Sequence, residues 1–492
     1  MSGGRSFGGG RGEPPPAPGS AGMPDSAGEA AAEPGAPEAA SARAPENASP
    51  PVPEAPPAFA PEAESSVSGG EPDAGRPMIP DAMLDLIRGR RIVLVVTGGV
   101  AAYKAVALAR LLVKSGARVK TAMTEAGTRF VTPLTFEAAT GGECVSSMWE
   151  RRQTEIGHVS WARWAELIIV APATADFIAR MSLGLADDFP AAMILASRAP
   201  RLVCPAMNDG MYANGATRGN ISKLAHDGIH TVMDSPGGPL ACGDEGPGRM
   251  AEPPDIAAAA ARIFSPRPFA GLKALVTSGA TAEPWDEVRV LTNRSSGRMG
   301  AELARAAWLM GADVTLVSGP YAAEAGVRDG LFRQFRVSDC RSLLDAVAAE
   351  IDRADLLVMN AAPADFRPAE RLAGKFKKDG GEPELKLVRN PDVLATLAPR
   401  KPGGAVWLGF AAESGEDLLT PARKKIGRKG LDYLAVNPAS GGGAAFGGER
   451  TAVTLLDSSG NEIFATREGV TKFHAAWRIL ESLARGLTPS EA

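Results

Sequence analysis

Beyond residue 90 the chain alternates two hydrophobic periods. Short apolar runs such as RIVLVVT at 91–97 and LIIVAP at 167–172 are interleaved with segments whose apolar positions recur at helical spacing, AAYKAVALARLLVKSG being the first. Runs of this kind predict strands buried on both faces, and their alternation with helices predicts a parallel sheet covered on both sides. The pattern continues through ARVKTAMT and RLVCPAM at 201–207, then breaks in a Pro/Gly cluster, DSPGGPLACGDEGPGRMAEPPD at 234–255. So long an irregular stretch inside a compact domain predicts a lid or binding loop.

SPRPFAG at 265–271 reads as a domain boundary, after which the alternation restarts. KALVTS, a helix over 298–310, ADVTLVSGP, a helix over 342–351 and ADLLVMNAAPAD come first. A basic loop AGKFKKDGGE, ELKLVRN, a short helix after Pro391, AVWLGFAAE, a basic helix TPARKKIGRKG and LDYLAVN follow. Two strand-like runs, TAVTLLD and EIFATR, and an amphipathic helix close the chain. The expected class is α/β, with two doubly wound parallel-sheet domains of Rossmann-like or flavodoxin-like type, at 85–264 and 265–492. Ligands are then expected outside the C-terminal ends of the strands.

Composition adds a third region. Residues 1–80 contain PPPAPGS and SPPVPEAPPAFAPE and almost nothing large and apolar to bury, so they are expected to form a disordered Pro/Ala/Gly-rich tail. No basic start followed by an apolar run marks a signal peptide, and no stretch approaches the ~20 apolar residues of a membrane span. The expected location is cytoplasmic. A net charge of −4 with no sustained basic stripe argues against duplex nucleic acid as the main partner. Cys144, Cys204, Cys242 and Cys340 lie far apart without a CxxC pair, which favours reduced thiols over a disulfide framework or a zinc site.

Two stretches bear candidate chemistry. In KALVTSGATAEPWDEVRVLTNRSSGRMGAELARAAWLMG at 273–311, a strand and a loop rich in Asn, Ser and Gly lead to a helix, so the Asn293–Gly297 amides are placed to offer N–H groups and a positive dipole end to a phosphate or carboxylate. RIVLVVTGGVAAYKAVALARLL at 91–112 echoes it, with Gly98 and Gly99 breaking the strand before Val100. A Gly pair is often only turn geometry. Thr124 and the segment Pro172, Ala173, Thr174 would share the same sheet edge, and three strand ends together favour a cofactor crevice.

Other candidates each have a plainer role beside the chemical one. His158 begins a short amphipathic segment and reads as a catalytic or a surface histidine. Asn208 follows a strand and suits either a carboxylate or a turn. Cys242 sits within the Gly/Pro cluster as a candidate proton donor or nucleophile, whereas the other cysteines read as small core residues. Asp365, expected to close the strand MNAAPAD, suits with Lys375, Lys377 and Lys378 a triphosphate and its divalent cation, or a solvated charged loop. Lys425 and Lys429, four apart on one helix, either clamp phosphates or solvate that face.

Taken in order, TGGVAAYK, GHVSW, PATADF, PAMNDGMY, GPLACGDEGPGRM, TSGATAEPWDEVRVLTNRSSGRMG, AAPADFRP, KFKK, VRNPDVL and GFAAES resemble the bifunctional coenzyme A biosynthesis flavoproteins. These join a phosphopantothenoylcysteine decarboxylase to a phosphopantothenate–cysteine ligase, and the resemblance covers about 91–487. It implies a decarboxylase using FMN at 85–264, with His158 as base or orienting group, Asn208 on the substrate carboxylate and Cys242 as proton donor. Gly98, Gly99, Val100, Thr124, Pro172, Ala173 and Thr174 match its flavin positions.

At 265–492 it implies a ligase that activates phosphopantothenate with CTP and Mg2+ as an acyl-cytidylate for attack by cysteine. Asn293 and Lys375 match its catalytic positions. Met359, Asn360, Ala361, Asp365, Lys375, Asn390, Pro391, Asp392, Val393, Phe410, Lys425 and Lys429 match its CTP positions. It further implies a homo-oligomer, with flavin-domain trimers and ligase-domain dimers building a dodecamer. Three positions depart from its pattern: Tyr212 stands for a Trp, Ala280 for a proline and Pro363 for a valine. Two rivals remain. A nicotinamide-dependent tandem oxidoreductase is disfavoured because neither Gly turn completes GxGxxG with an acidic residue ~20 positions on. A flavin-binding regulatory subunit is disfavoured by the joint presence of His158, Asn208 and Cys242.

Overall fold

A computed structural model of the chain describes residues 81–149, 157–238, 245–322, 332–377, 382, 384–415, 417–439, 448–466 and 469–487. The expected tail at 1–80 lies outside them, as do Cys242 and Lys378. Both sheets described below lie within one compact unit, Asp73–Ala492.

The first sheet has six parallel strands: β1 (Arg91–Val96), β2 (Arg118–Met123), β3 (Cys144–Val145), β4 (Leu167–Ala173), β5 (Arg201–Pro205) and β6 (His230–Val232). They lie in the order β3-β2-β1-β4-β5-β6, so the order reverses beside β1. Ile92 pairs in register with Val119 on one side and Leu167 on the other. All seven residues of β4 are buried, which is why its sequence shows no alternation. Trp161, Phe177 and Phe189 pack on one face of the sheet, and Leu108, Leu112 and Ile256 on the other.

The second sheet repeats the plan. The main strands are β7 (Lys273–Ser278), β10 (Asp313–Ser318), β11 (Arg333–Arg336), β12 (Leu356–Met359), β15 (Val406–Glu413), β16 (Tyr433–Pro438), β18 (Thr454–Asp457) and β19 (Glu462–Ala465). Short pairs form beside them: β8 (Ala282–Pro284) with β9 (Val290–Thr292), β13 (Phe366–Pro368) with β14 (Leu387–Arg389), and β17 (Arg450–Thr451) with β20 (Val470–Thr471). The main order is β11-β10-β7-β12-β15-β16-β18-β19, with β18 and β19 antiparallel. Two doubly wound parallel sheets are therefore present, as the alternation predicts, with an antiparallel edge on the second. β12 stops at Met359, not at Asp365 as its apolar run suggests, because the chain beyond it turns across β7 and is bonded there.

The two sheets meet at a packed joint. The helix Pro253–Phe264 buries Ile256–Ala261, and Phe269, inside the segment read as a boundary, is fully buried with its N–H donating to Met310 O at 2.9 Å. Arg262 donates to Gly311 O and Ala312 O at 3.2 and 3.3 Å and lies 4.6 Å from the Trp308 ring centre. Burial pushes its pKa down to about 10, helped by Arg267. One apolar cluster runs through Ile256, Phe269, Leu303 and Met310 without interruption. Phe269→Ala is expected to lower stability by about 3–5 kcal/mol, the usual cost of a buried Phe. Denaturant unfolding followed by tryptophan fluorescence measures it; a loss under about 1 kcal/mol would mean that the joint is loose.

Candidate functional site

The residues singled out on the first sheet collect at the strand ends beside the β1–β4 reversal. Thr97, just past β1, donates from Oγ1 to Pro172 O at 2.7 Å and accepts from Thr174 N at 3.2 Å, which locks the end of β1 to the end of β4. Gly98 approaches Ala126 so closely that a Cβ on it would stand 2.4 Å from the Ala126 Cβ, and a Cβ on Gly99 would be 3.5 Å from Thr174 Cγ2. These glycines are thus close-packing residues between three strand ends. Thr124 and Thr174 both cap short helices, accepting from Gly127 N at 3.1 Å and Phe177 N at 3.4 Å. Val100 and Tyr103 stand exposed beside the turn, an apolar rim suited to a flat aromatic ring.

Asn208 follows β5 and caps the helix Asp209–Ala213, its Oδ1 accepting from Gly210 N at 2.8 Å and Met211 N at 3.4 Å. The turn role is therefore real. The Pro/Gly segment is tied to the same place. Met207 N donates to Gly248 O at 2.9 Å, and Gly238 and Gly246 exchange two backbone bonds of 3.2 Å, while Cys242 lies outside the described residues. His158 lies in the first turn of the helix Gly157–Trp164 that leads into β4. Cys144, Cys204 and Cys340 are buried as expected. Burial raises the Cys204 thiol pKa and pushes that of Cys340 up to about 11, helped by Glu283, so both stay inert.

On the second sheet a cleft of about 890 Å³ opens at the β7–β12 reversal. It is lined by Asn293, Met359, Asn360, Ala361, Asp365, Asn390, Pro391, Asp392, Val393, Phe410, Lys425 and Lys429, which the sequence scatters over more than a hundred residues. Lys429 pairs with Asp392 at 3.1 Å and Lys425 with Glu413 at 2.5 Å. Burial raises the Asp392 carboxyl pKa, but Lys429 and the Ala395 N–H outweigh it and hold the group below the usual range.

The floor of this cleft is fixed by β7 and its following turn. Ala361 N donates to Thr277 Oγ1 and Ala364 N to Thr281 Oγ1, each at 3.0 Å, and Ala362 N donates to Gly279 O at 2.8 Å. The Ala361, Ala362 and Ala364 amides therefore point into the protein. Asn293 Nδ2 clamps the same strip, donating to Ala362 O and Pro363 O at 3.2 and 3.1 Å. Gly297, at φ 71°, starts the helix Arg298–Leu309, and its carbonyl accepts from Ser278 Oγ at 2.7 Å. Of the amides expected to face an anion here, Ser295 N is turned to Asn293 O at 3.0 Å.

Lys375 stands apart, exposed and outside the cleft lining. Its loop is anchored through the next residue: Phe376 N donates to Asp286 Oδ2 at 3.1 Å, and the Phe376 ring stacks on Trp285 at 5.6 Å. Sequence reasoning missed Asn437, Thr451 and Lys472, which also line the cleft, because they lie on strands and a helix start far along the chain with no motif around them. Among the described residues, no group of three His, Cys, Asp or Glu side chains could hold a metal ion.

Family models match both halves: "Flavoprotein" over residues 82–265 and "DNA/pantothenate metabolism flavoprotein C-terminal domain" over residues 269–487. The coenzyme A biosynthesis bifunctional protein CoaBC of Vibrio vulnificus is 40% identical over 77% of this chain and 94% of its own length. That of Bacillus subtilis is 39% identical over 81% and 98%, and that of Escherichia coli K12 39% over 77% and 93%. This chain belongs to the CoaBC family. Among solved structures, the C-terminal domain of a CoaBC protein is 29% identical over 45% of this chain and 98% of its own, at a TM-score of 0.37. The CoaBC resemblance read from the motifs stands, and neither half needs the nicotinamide alternative. No helix among the described residues is long and apolar enough to cross a membrane.

The anchor of the Lys375 loop has a pH consequence. Burial of Asp286 works to raise its pKa, but the N–H groups of Val288, Arg289 and Phe376 and the Arg289 guanidinium together hold it down to about 2. A depressed carboxyl stabilises above its unfolded pKa, and that contribution is lost as pH falls from about 4 to about 2. Asp286→Asn is expected to make the 371–377 loop more open to proteolysis at neutral pH and to flatten the pH dependence of its protection below pH 4. Limited proteolysis with mass mapping reads this; unchanged cleavage would show that Asp286 does not hold the loop.

Proposed function

We infer that the two crevices perform consecutive steps on one substrate, the second sheet acting first. The chain is a bifunctional enzyme of coenzyme A biosynthesis that joins phosphopantothenate to cysteine and then decarboxylates the phosphopantothenoylcysteine formed. The observation that carries the reading is the cleft at the β7–β12 reversal, which gathers nearly every CTP position from separate strands, loops and a helix. We assign the ligase to 265–492 and the decarboxylase to 85–264.

In the ligase, the phosphopantothenate carboxylate attacks the α-phosphorus of CTP and pyrophosphate departs, leaving an acyl-cytidylate. The amine of cysteine then attacks the acyl carbon and CMP leaves. Phe410, the Asn390–Val393 turn, Lys425 and Lys429 hold the nucleotide, with Met359, Asn360 and Ala361 as the floor beneath it. Asn293, braced on the Ala362 and Pro363 carbonyls, orients the intermediate, and Lys375 swings in to offset charge on the reacting phosphate. Magnesium comes with the triphosphate, with Asp365 as an exposed carboxylate lining the cleft.

In the decarboxylase, the first crevice fits FMN: Gly98 and Gly99 keep side chains out of the turn, and Val100, Thr124, Pro172, Ala173 and Thr174 surround it. Bound flavin supplies a two-electron oxidation of the cysteine moiety, which makes loss of carbon dioxide feasible, and returns the electrons afterwards. Asn208 holds the departing carboxylate, His158 takes or orients a proton, and Cys242 returns one. We place the protein in the cytoplasm as a homo-oligomer, with trimers of the flavin domain and dimers of the ligase domain building a dodecamer. Exposed Val100, Tyr103, Phe130 and Leu134 beside the first crevice suit that burial.

An assay supplying phosphopantothenate, cysteine and CTP, with pyrophosphate and carbon dioxide followed separately, tests the division of labour. His158→Asn is expected to cut carbon dioxide release about 100-fold or more with pyrophosphate release intact. Lys375→Gln is expected to cut pyrophosphate release about 100-fold while decarboxylation of added phosphopantothenoylcysteine is unaffected. Loss of pyrophosphate release in His158→Asn, or loss of decarboxylation of added phosphopantothenoylcysteine in Lys375→Gln, would contradict two separate sites.

A further inference from the structure

Glu283 lies on β8, outside the lining of the ligase cleft, and only 2% of it is exposed. A carboxyl group so deeply placed is costly unless it is hydrogen-bonded. Two donors from different parts of the chain meet on one of its oxygens: Thr281 Oγ1 and Cys340 N each donate to Glu283 Oε1 at 2.9 Å.

Each donor carries the contact onward to the cleft. Because the single Thr281 hydroxyl proton goes to Glu283, its oxygen meets Ala364 N as an acceptor, at 3.0 Å. Cys340 opens the helix Cys340–Glu350, which Asp339 caps by accepting from Ser342 N at 2.8 Å. Burial and then Glu283 push the Cys340 thiol up to about 11, so Sγ keeps its proton at neutral pH and donates to Pro391 O at 3.5 Å. The two ends are themselves joined, since Asn390 Nδ2 donates to Ala364 O at 2.8 Å and Asn390 N to Asp365 O at 2.9 Å. The path therefore closes on itself, from Glu283 through Thr281, Ala364, Asn390, Pro391 and Cys340 back to Glu283.

Ala364, Asn390 and Pro391 line the cleft, and so do their chain neighbours Asp365 and Asp392. Asp392 in turn pairs with Lys429 at 3.1 Å. A closed ring of bonds fixes the spacing of the floor strip and the 390–393 turn, where one bond alone would leave a hinge.

We propose that Glu283 is a positioning residue of the ligase. It acts through the ring, holding the floor strip and the 390–393 turn at the spacing that receives the nucleotide. That the guest is CTP rests on the ligase reading; the ring itself does not.

The test uses the full chain, as wild type, Glu283→Ala, Glu283→Gln, Cys340→Ala and the double variant of Glu283→Ala with Cys340→Ala. Calorimetry measures the affinity for CTP with magnesium, and steady-state assays give kcat and KM for each ligase substrate. Hydrogen exchange with mass mapping follows the peptides over 338–342, 361–366 and 388–394. Glu283→Ala is expected to weaken CTP binding about tenfold, because a wall that spends only about a tenth of its time in the receiving geometry lowers apparent affinity by that factor. KM for CTP should rise to match, with kcat within about twofold, KM for cysteine unchanged and exchange faster in all three peptides. Glu283→Gln, which keeps an acceptor oxygen for both donors, is expected to recover most of the loss. Cys340→Ala opens the same ring at another point, so the double variant should bind CTP no more weakly than Glu283→Ala alone.

Unchanged CTP affinity and exchange in Glu283→Ala, KM values that rise equally for all three substrates, or a double variant whose loss is the product of the two single losses overturns the proposal. Should Glu283→Ala not fold, as failure to decarboxylate added phosphopantothenoylcysteine would show, Cys340→Ala decides it: unchanged CTP affinity and exchange there overturn the ring. Protein whose exchange depends on Glu283 in this way, yet whose wild type neither binds CTP nor releases pyrophosphate from it, would sink the ligase reading alone.

Discussion

The constraint on which the molecule depends is the reversal of strand order beside β1 and again beside β7. In a parallel sheet, the crossover connections on either side of such a point leave in opposite directions. The strand ends there are left uncovered, and a crevice follows from topology alone. Because both sheets wind in the same order, the chain has two such openings. The packed joint through Phe269 and Arg262 ties the two sheets together.

The two openings are finished by different chemistry. At β1 the work is done by what is missing: Gly98 and Gly99 let three strand ends approach, and the Thr97 hydroxyl bridges two of them. At β7 it is done by hydroxyls and a carboxamide. Thr277 and Thr281 accept from the Ala361 and Ala364 N–H groups and Asn293 donates to the Ala362 and Pro363 carbonyls, so the floor of the cleft is a fixed backbone strip. The first suits a flat, largely apolar ring, the second a polyanion with a polar base. Deep burial of Cys204 and Cys340 keeps other thiols out of the chemistry.

Much of this was legible in the sequence because it is local. β4 and β7 announce themselves as unbroken apolar runs, and the Gly turns and the Asn208 turn sit next to the strands they end. The end of β12 is not legible in the sequence because MNAAPAD stays apolar after the strand has stopped; what ends it is hydrogen bonding to Thr277 and Thr281, more than eighty residues away. Lys472 escaped notice for the same reason. It reads as an ordinary lysine at the head of an amphipathic helix, and only the pairing of β17 with β20 brings it to the cleft. Lys375 was legible as a cation on a loop, but its distance from the cleft lining and its tether through Phe376 to Asp286 were not.

The central claim, that each reversal point holds its own ligand, is tested most directly by a crystal structure of the full chain with FMN and CTP both present. The account predicts flavin density over Gly98, Gly99 and Thr174 and nucleotide density between Phe410, Asp392 and Lys425, with no overlap. Nucleotide density at the first crevice, or a flavin in the second, would contradict it.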